Sequence, residues 1–83
     1  MYFKPRGVSM SELEEILVEE DEIEALRLSD VDGLDQTSAA KRMKISQPTF
    51  ARILASARNK LASAIVNGSA IRLGDSSKEK VSN

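Results

Sequence analysis

The spacing of apolar and polar residues divides the chain into three amphipathic helices. The first is predicted to begin at Glu20 or Asp21, with acids in its first turn where the helix dipole favours them, and to end at Asp32–Gly33. The second is predicted to run from about Gln36 to Met43. Asp35 fits its N-cap, because a carboxylate can accept hydrogen bonds from the free amides of the next turn.

The third helix is the longest amphipathic segment. Ser46 is a suitable N-cap, Pro48 fits the first turn, and Gly68 provides a stop, so the helix should end at Val66 or Asn67. At helical periodicity these apolar side chains fall on one face: Phe50, Ile53, Leu54, Ala57, Leu61, Ala64 and Ile65. Ala, Leu and Ile dominate the apolar residues of the chain, which favours packed helices over a sheet.

Two short apolar segments flank the helices, at residues 15–19 and 70–73. Both could be short strands. They could pair within one chain and close the bottom of the core. Alternatively, their exposed edges could contribute to the interface of a homodimer.

The two ends of the chain have a different character. Residues 1–11 are interpreted as an arm, because Pro5 and Gly7 interrupt regular structure, and the polar residues 74–83 as a disordered tail. One domain, residues 12–73, remains, in keeping with the small core that such a short chain allows. The predicted fold is all-α, with three helices and the two short β segments as additions.

The segment Lys44-Ile45-Ser46 separates the second and third helices. Helices joined by so few residues cross steeply and need a small residue at the crossing, which Ala40 supplies. Four apolar side chains can fill the angle: Met43, Ile45, Phe50 and Ile53. This spacing is typical of a helix-turn-helix. The first turn residue usually needs a positive φ, which at Lys44 costs about 1 kcal/mol relative to glycine.

The charges are strongly segregated, although the net charge is only −1. From Met10 to Asp35 there are eleven acids and one base, whereas from Gln36 to Arg72 there are seven bases and no acid. A basic half attracts a polyanion by electrostatic steering and counterion release. The alternative is that the two halves are solvated faces that attract each other.

A helix-turn-helix presents the start of its second helix to the major groove of double-stranded DNA. Gln47 can pair bidentately with adenine, Arg52 can reach guanine or a phosphate, and Ser56 is small enough for close approach. The candidate base-contacting residues are Gln47, Arg52 and Ser56. The candidate DNA backbone-contacting residues are Lys41, Arg42, Lys44, Ser46, Thr49, Arg58, Asn59 and Lys60.

The composition argues against several other functions. The chain has neither Cys nor His, so disulfides, thiolate metal sites and the commonest general base are absent. We therefore expect no catalytic residues, no metal and no cofactor. No apolar run reaches the length of a membrane span and the N-terminus lacks an apolar signal core, which predicts a cytoplasmic protein.

Three rival functions remain open. An enzyme could hold Mg²⁺ or Ca²⁺ on the acids Glu12, Glu14, Glu15, Glu19, Glu20, Asp21, Glu22 and Glu24, although a solvated acidic face explains them more simply. A non-catalytic helical module could bind protein through Ile16, Leu17 and Val18 or through Ile71 and Leu73. RNA is a weaker option, since no stacking aromatic residues are displayed.

Several motifs resemble region 4 of sigma factors, their C-terminal DNA-binding domain. They are Glu-Ala-Leu-Arg-Leu at 24–28, Gly-Leu at 33–34, Gln-Thr-Ser-Ala-Ala-Lys-Arg-Met at 36–43 and Ile-Ser at 45–46. The resemblance implies a helix followed by a helix-turn-helix unit.

A closer resemblance is to the family called domain of unknown function 134, small prokaryotic proteins predicted to bind DNA. The matching motifs are Tyr-Phe-Lys-Pro-Arg-Gly-Val at 2–8, Met-Ser-Glu-Leu-Glu-Glu at 10–15, Thr-Phe-Ala-Arg-Ile-Leu at 49–54 and Ser-Ala-Arg-Asn-Lys at 56–60. This resemblance covers about residues 2 to 73 and implies a sigma-region-4-like fold and DNA binding. At position 44 the family more often has Gly.

Together these features predict a sequence-specific DNA-binding protein, a transcriptional regulator that inserts the helix starting near Gln47 into the major groove. Its expected partners are double-stranded DNA and a second copy of the chain, and no membrane. An effector or a protein partner is left open, and the protein–protein interaction module is the alternative function.

Overall fold

The computed structural model describes residues 2–3 and 14–74. In chain order its elements are β1 (Tyr2–Phe3), β2 (Glu15–Val18), α1 (Glu20–Leu26), α2 (Gln36–Met43), α3 (Gln47–Asn67) and β3 (Ala70–Leu73). A π-helical segment, Arg27–Val31, continues α1. The described chain is therefore mostly helical, with a small sheet.

The first helix begins where the sequence predicted, and its π-helical continuation ends at the predicted Asp32–Gly33. Glu19 is the N-cap, and its amide donates to Glu22 Oε1 at 2.8 Å in a reciprocal capping box. Beyond the π-helical segment, Asp32 closes the last turn, and Gly33 has the positive φ of 76° that glycine adopts easily.

The second and third helices also have the predicted ends. Asp35 accepts a 2.7 Å hydrogen bond from the Ser38 amide, and Ser46 caps α3 by accepting from the amide of Thr49. Lys44, between the helices, has φ 62° and ψ 42°, so the left-handed turn residue is confirmed. Gly68 ends α3 with a φ of 72°.

The main core lies where α1, α2 and α3 meet. Its buried side chains are Ala25, Leu28, Ala39, Ala40, Phe50 and Leu54. Half-buried Met43, Ile45 and Ile53 pack around them, as the turn spacing predicted, together with Leu26 and Leu34. Small alanines on α1 and α2 let Phe50 and Leu28 fill the space between the helices.

The two predicted β segments pair with each other inside one chain. Strand β3 is central in the order β1-β3-β2, parallel to β2 and antiparallel to β1. A parallel pair needs a long crossover, which here is the whole helical unit. The sheet covers a second core of Val18, Ala64 and Ile71, with Ile16, Ile23, Leu61 and Leu73 at its margin.

Two expectations differ from the structure. Ile65 was predicted to face inward but is 68% exposed, because it lies at the edge of the apolar stripe and its neighbour Ala64 takes the buried position against the sheet. Within the predicted arm, Tyr2–Phe3 form the third strand, so the β content is larger than two segments. Residues 1 and 4–11 of the arm, residues 12–13 of the predicted domain and residues 75–83 of the predicted tail lie outside the described residues.

No helix in the part of the chain that the structure describes is long and apolar enough to cross a membrane.

Candidate nucleic-acid interface

Four basic side chains surround the turn between α2 and α3. Lys41 and Arg42 lie in the last turn of α2, Lys44 is in the turn itself, and Arg52 lies in the second turn of α3. All four are exposed. None of the ion pairs formed among residues 14–74 involves them. This group, Lys41, Arg42, Lys44 and Arg52, is called the turn cations below.

The other predicted phosphate-contacting bases are engaged by acids of the same chain. The Arg58 guanidinium donates to both carboxylate oxygens of Asp30, at 2.5 and 3.1 Å. These bonds lower the pKa of Asp30 and raise the pKa of Arg58. The Lys60 ammonium lies 2.8 Å from Glu22 Oε1 and also donates to the Leu17 carbonyl at 2.8 Å.

Ser56 belongs to the same contact between α1 and α3. Its hydroxyl donates to Glu22 Oε2 at 2.6 Å, so it faces α1. Glu22 is only 6% exposed. Burial acts to raise its pKa, but hydrogen bonds from Lys60, Ser56 and the Glu19 amide, with the positive charge of Lys60, outweigh burial and leave the pKa lowered.

A second polar network lies at the start of α3. The Ser46 hydroxyl donates to Thr49 Oγ1 at 2.9 Å, and Arg52 Nη2 approaches the same oxygen at 3.5 Å. Across the turn, Thr37 Oγ1 donates to Gln47 Oε1 at 3.3 Å. Two candidate base-contacting side chains lie near the turn, and each is close to a threonine: Gln47 to Thr37 and Arg52 to Thr49.

The structure divides the predicted site residues into two groups. One group lies around the turn and the start of α3: Lys41, Arg42, Lys44, Ser46, Gln47, Thr49 and Arg52. The other, Ser56, Arg58 and Lys60, bonds to α1, the π-helical segment or β2. Asn59 is exposed and lies two helical turns beyond Arg52 on the same face of α3. The DNA contacts of both groups stay predictions.

The buried Glu22 network was not found from the sequence. The two acids Glu19 and Glu22, three residues apart at a helix start, indicate only the capping half. The cross-helix half joins Glu22 to Ser56 and Lys60, and neither the helical period nor charge spacing relates positions so far apart along the chain.

The acidic segment does not form a metal site in the described residues. No three acidic side chains there converge closely enough to hold an ion. The apolar residues of the interaction-module hypothesis are mostly internal, since Val18 and Ile71 are buried and Ile16 and Leu73 pack beside them. Leu17, 37% exposed, is the member of that set that faces solvent.

A family model described as "Protein of unknown function DUF134" matches residues 1–79. The chain belongs to this family. The DUF134 chain is 54% identical over 72 residues to a UPF0251 protein of Caldanaerobacter subterraneus, covering 87% of this chain and 61% of that protein. It is 56% identical over 72 residues to a UPF0251 protein of Moorella thermoacetica, covering 87% of this chain and 48% of that protein.

The resemblance to the family, drawn from the motifs at residues 2–73, is thereby confirmed. The DUF134 chain spans only 61% and 48% of the length of these two relatives. No solved structure matches the chain.

Proposed function

We propose that this protein is a sequence-specific DNA-binding protein and transcriptional regulator whose α2, turn and α3 form a sigma-region-4-like helix-turn-helix. The observation that carries the proposal is the group of turn cations, none of which has an acidic partner among residues 14–74. They lie beside the N-terminus of α3, which has no acid in its first turn.

The ion pairs explain why a chain of net charge −1 can bind a polyanion. Elsewhere in the described chain, acids of α1, the π-helical segment and β2 pair with Arg27, Arg58, Lys60 and Arg72. Among residues 14–74, positive charge without an ion-pair partner is therefore concentrated at the turn. Phosphates bound there release counterions, so the affinity should fall steeply with salt.

The start of α3 offers side chains suited to base edges. Gln47 and Arg52 are exposed on its first two turns, and Asn59 continues the Arg52 face. A helix fits the major groove, where glutamine pairs with adenine and arginine with guanine. The turn cations Lys41, Arg42 and Lys44 then flank that helix and contact phosphates.

Arg58, Lys60 and Ser56 have a smaller role in this proposal. Arg58 reaches a phosphate only by exchanging Asp30 for it, and Lys60 only by leaving Glu22 and the Leu17 carbonyl. Each exchange breaks an existing ion pair, so the phosphate contact adds less electrostatic free energy to DNA binding. Of the predicted phosphate contacts, those near the turn should therefore dominate binding.

Selection from a random pool of double-stranded DNA tests the proposal. We expect an enriched sequence, and the logarithm of its binding constant should fall linearly with the logarithm of the salt concentration. Arg27→Ala is the matched control for substitution of a turn cation and should leave binding unchanged. Arg27 is exposed, but it is bonded to Glu24 and Asp32 and is not one of the turn cations. A pool without enrichment, or binding insensitive to salt, would contradict the proposed function.

We infer further that the protein binds DNA as a homodimer, because a single helix-turn-helix reads only a few base pairs. Strands β2 and β3 pair within the chain, which leaves Leu17 on the edge strand β2 for contact with a second copy. Sedimentation equilibrium should show a dimer that Leu17→Asp dissociates and Val31→Asp, an exposed control position, does not. A monomeric wild type that binds a non-palindromic site would end this assembly proposal.

A further inference from the structure

Strand β2 lies at an edge of the sheet. In the part of the chain that the structure describes, β3 pairs with one side of β2 and no strand pairs with the other. Backbone groups of alternate residues in a strand point to opposite edges. The amides of Ala70 and Gly74 donate to the carbonyls of Glu14 and Val18, so these carbonyls point towards β3. The Leu17 carbonyl therefore points to the free edge of β2.

Lys60 of α3 covers that carbonyl. Its ammonium donates to the Leu17 oxygen at 2.8 Å. Since β2 has only four residues, Glu15 and Leu17 are the two whose backbone groups face the free edge. An added strand would have to place one of its amides where the Lys60 ammonium lies. An ammonium has donors but no acceptor, so it cannot bond to that amide.

A buried acid holds the Lys60 ammonium in this position. Glu22 Oε1 accepts from it at 2.8 Å, and the same carboxylate accepts from the Ser56 hydroxyl and the Glu19 amide. Glu22 is 6% exposed, so displacing Lys60 would leave a buried carboxylate without its countercharge, which is strongly destabilising. A strand that displaced Lys60 would therefore break the Glu22 ion pair as well as the bond to the β2 edge.

We propose that Lys60, anchored by Glu22, blocks the addition of a second copy's β2 to the free edge of this strand. Ile16 and Val18 are β-branched and favour extended structure, and a two-fold axis would lay two such strands antiparallel. Unprotected edges invite this pairing, and lysine is a common means of preventing it.

The inference does not rest on DNA binding, and it limits how two copies can meet. The homodimer inferred above uses the Leu17 side chain, which stays 37% exposed beside the covered carbonyl. Contact through that side chain is therefore open to a second copy, whereas pairing of the two backbones is blocked.

Hydrogen exchange tests whether the edge opens when Lys60 is replaced by Met. The experiment is run in about 0.5 M NaCl, because the acids near β2 repel a second β2 and salt screens exposed charges. The protein concentration is varied over a range in which sedimentation shows a constant wild-type mass. We expect exchange of the Leu17 amide to slow as the concentration of Lys60→Met rises, and to stay constant in wild type. Arg58→Met controls for the lost positive charge and should behave as wild type, since Arg58 pairs with Asp30.

Two double variants test whether the association is strand pairing. Glu15→Pro removes the other amide at the free edge, and proline is tolerated on edge strands where the N–H faces solvent. Glu15→Ala removes the same charge but keeps the amide. Combined with Lys60→Met, alanine should preserve the slow exchange of the Leu17 amide and proline should abolish it. Equal exchange in the two double variants, slow or fast, would overturn the inference.

Glu22→Gln is the second single variant, because it keeps the side-chain shape and removes the charge that anchors Lys60. We expect a weaker form of the same concentration dependence. Circular dichroism should first confirm that the variants are folded, and if Lys60→Met is not, Glu22→Gln decides. Folded variants that exchange as wild type does at every concentration would show that Lys60 does not block the edge. Slowing in Lys60→Met alone would show that Glu22 is not its anchor.

Discussion

Arg52 and Lys60 lie on the same helix but have different surroundings. Near the start of α3, Arg52 and the other turn cations have no acidic partner among residues 14–74. Two turns later α1 packs against α3, and Lys60 is bonded to the buried Glu22. A basic residue in an amphipathic helix is thus available to a ligand only where no acidic element packs beside it.

The largest effect on stability is expected at the enclosed end of α3. Lys60→Met should lower the free energy of unfolding by about 2 kcal/mol, because it leaves the Glu22 carboxylate buried without its countercharge. It also removes the donor to the Leu17 carbonyl. Urea denaturation measures the loss.

Arg58→Met is the matched control for that change. Its ion pair with Asp30 is exposed on both sides, and such pairs contribute little to stability. We expect no resolvable change in its free energy of unfolding. Equal losses in Lys60→Met and Arg58→Met would show that burial of Glu22 does not distinguish the two regions.

At the open end the effect should appear in binding. Arg52→Ala should weaken binding to the selected site by about 1–3 kcal/mol, because it removes a base contact, and should relax specificity at one position. Stability should hardly change, since Arg52 makes only a long bond to Thr49. Fluorescence anisotropy on selected and scrambled DNA measures both effects, and equal losses on the two sequences would contradict base readout.

Substitution of Lys44 by glycine should change stability and DNA affinity in opposite directions. Lys44→Gly should raise the free energy of unfolding by up to about 1 kcal/mol, because glycine adopts the left-handed turn conformation without strain. The same change removes a phosphate contact, so affinity should fall similarly on all sequences and the salt slope should flatten by about one. Binding that stays unchanged would remove Lys44 from the interface.

The smallest expected effect is in the pH dependence of stability. Because the pKa of Glu22 is lowered from its ordinary value of 4.5, its contribution is present above pH 4.5 and is lost as the pH falls through the folded-state pKa. Wild type should therefore exceed Glu22→Gln in unfolding free energy at neutral pH, and the difference should narrow in acid. A difference in unfolding free energy that stays the same at all pH values would contradict a stabilising role for the charged Glu22 carboxylate.

Features decided within a few residues could be predicted from the sequence. The N-caps Asp35 and Ser46, the turn residue Lys44 and the stop at Gly68 each depend on local backbone geometry. They define α2, the turn and α3, and therefore the candidate interface.

Features decided by distant partners could not be predicted in the same way. The strand Tyr2–Phe3 exists only because β3 is beside it, and the helical period placed Ile65 at the edge of a stripe that the sheet does not cover. Ser56 and Lys60 were predicted to contact DNA from their positions on the third helix. Their bonds to Glu22 could not be predicted, because these bonds depend on how α1 crosses α3.

The parallel pairing of β2 and β3 has a consequence for folding: we expect the sheet to form last. The amides of Ala70 and Gly74 donate to the carbonyls of Glu14 and Val18, so these bonds close a loop that contains all three helices. Closing so long a loop costs chain entropy that only assembled helices offset. Folding should therefore nucleate among the helices, and the two strands should dock onto them near the end of the reaction.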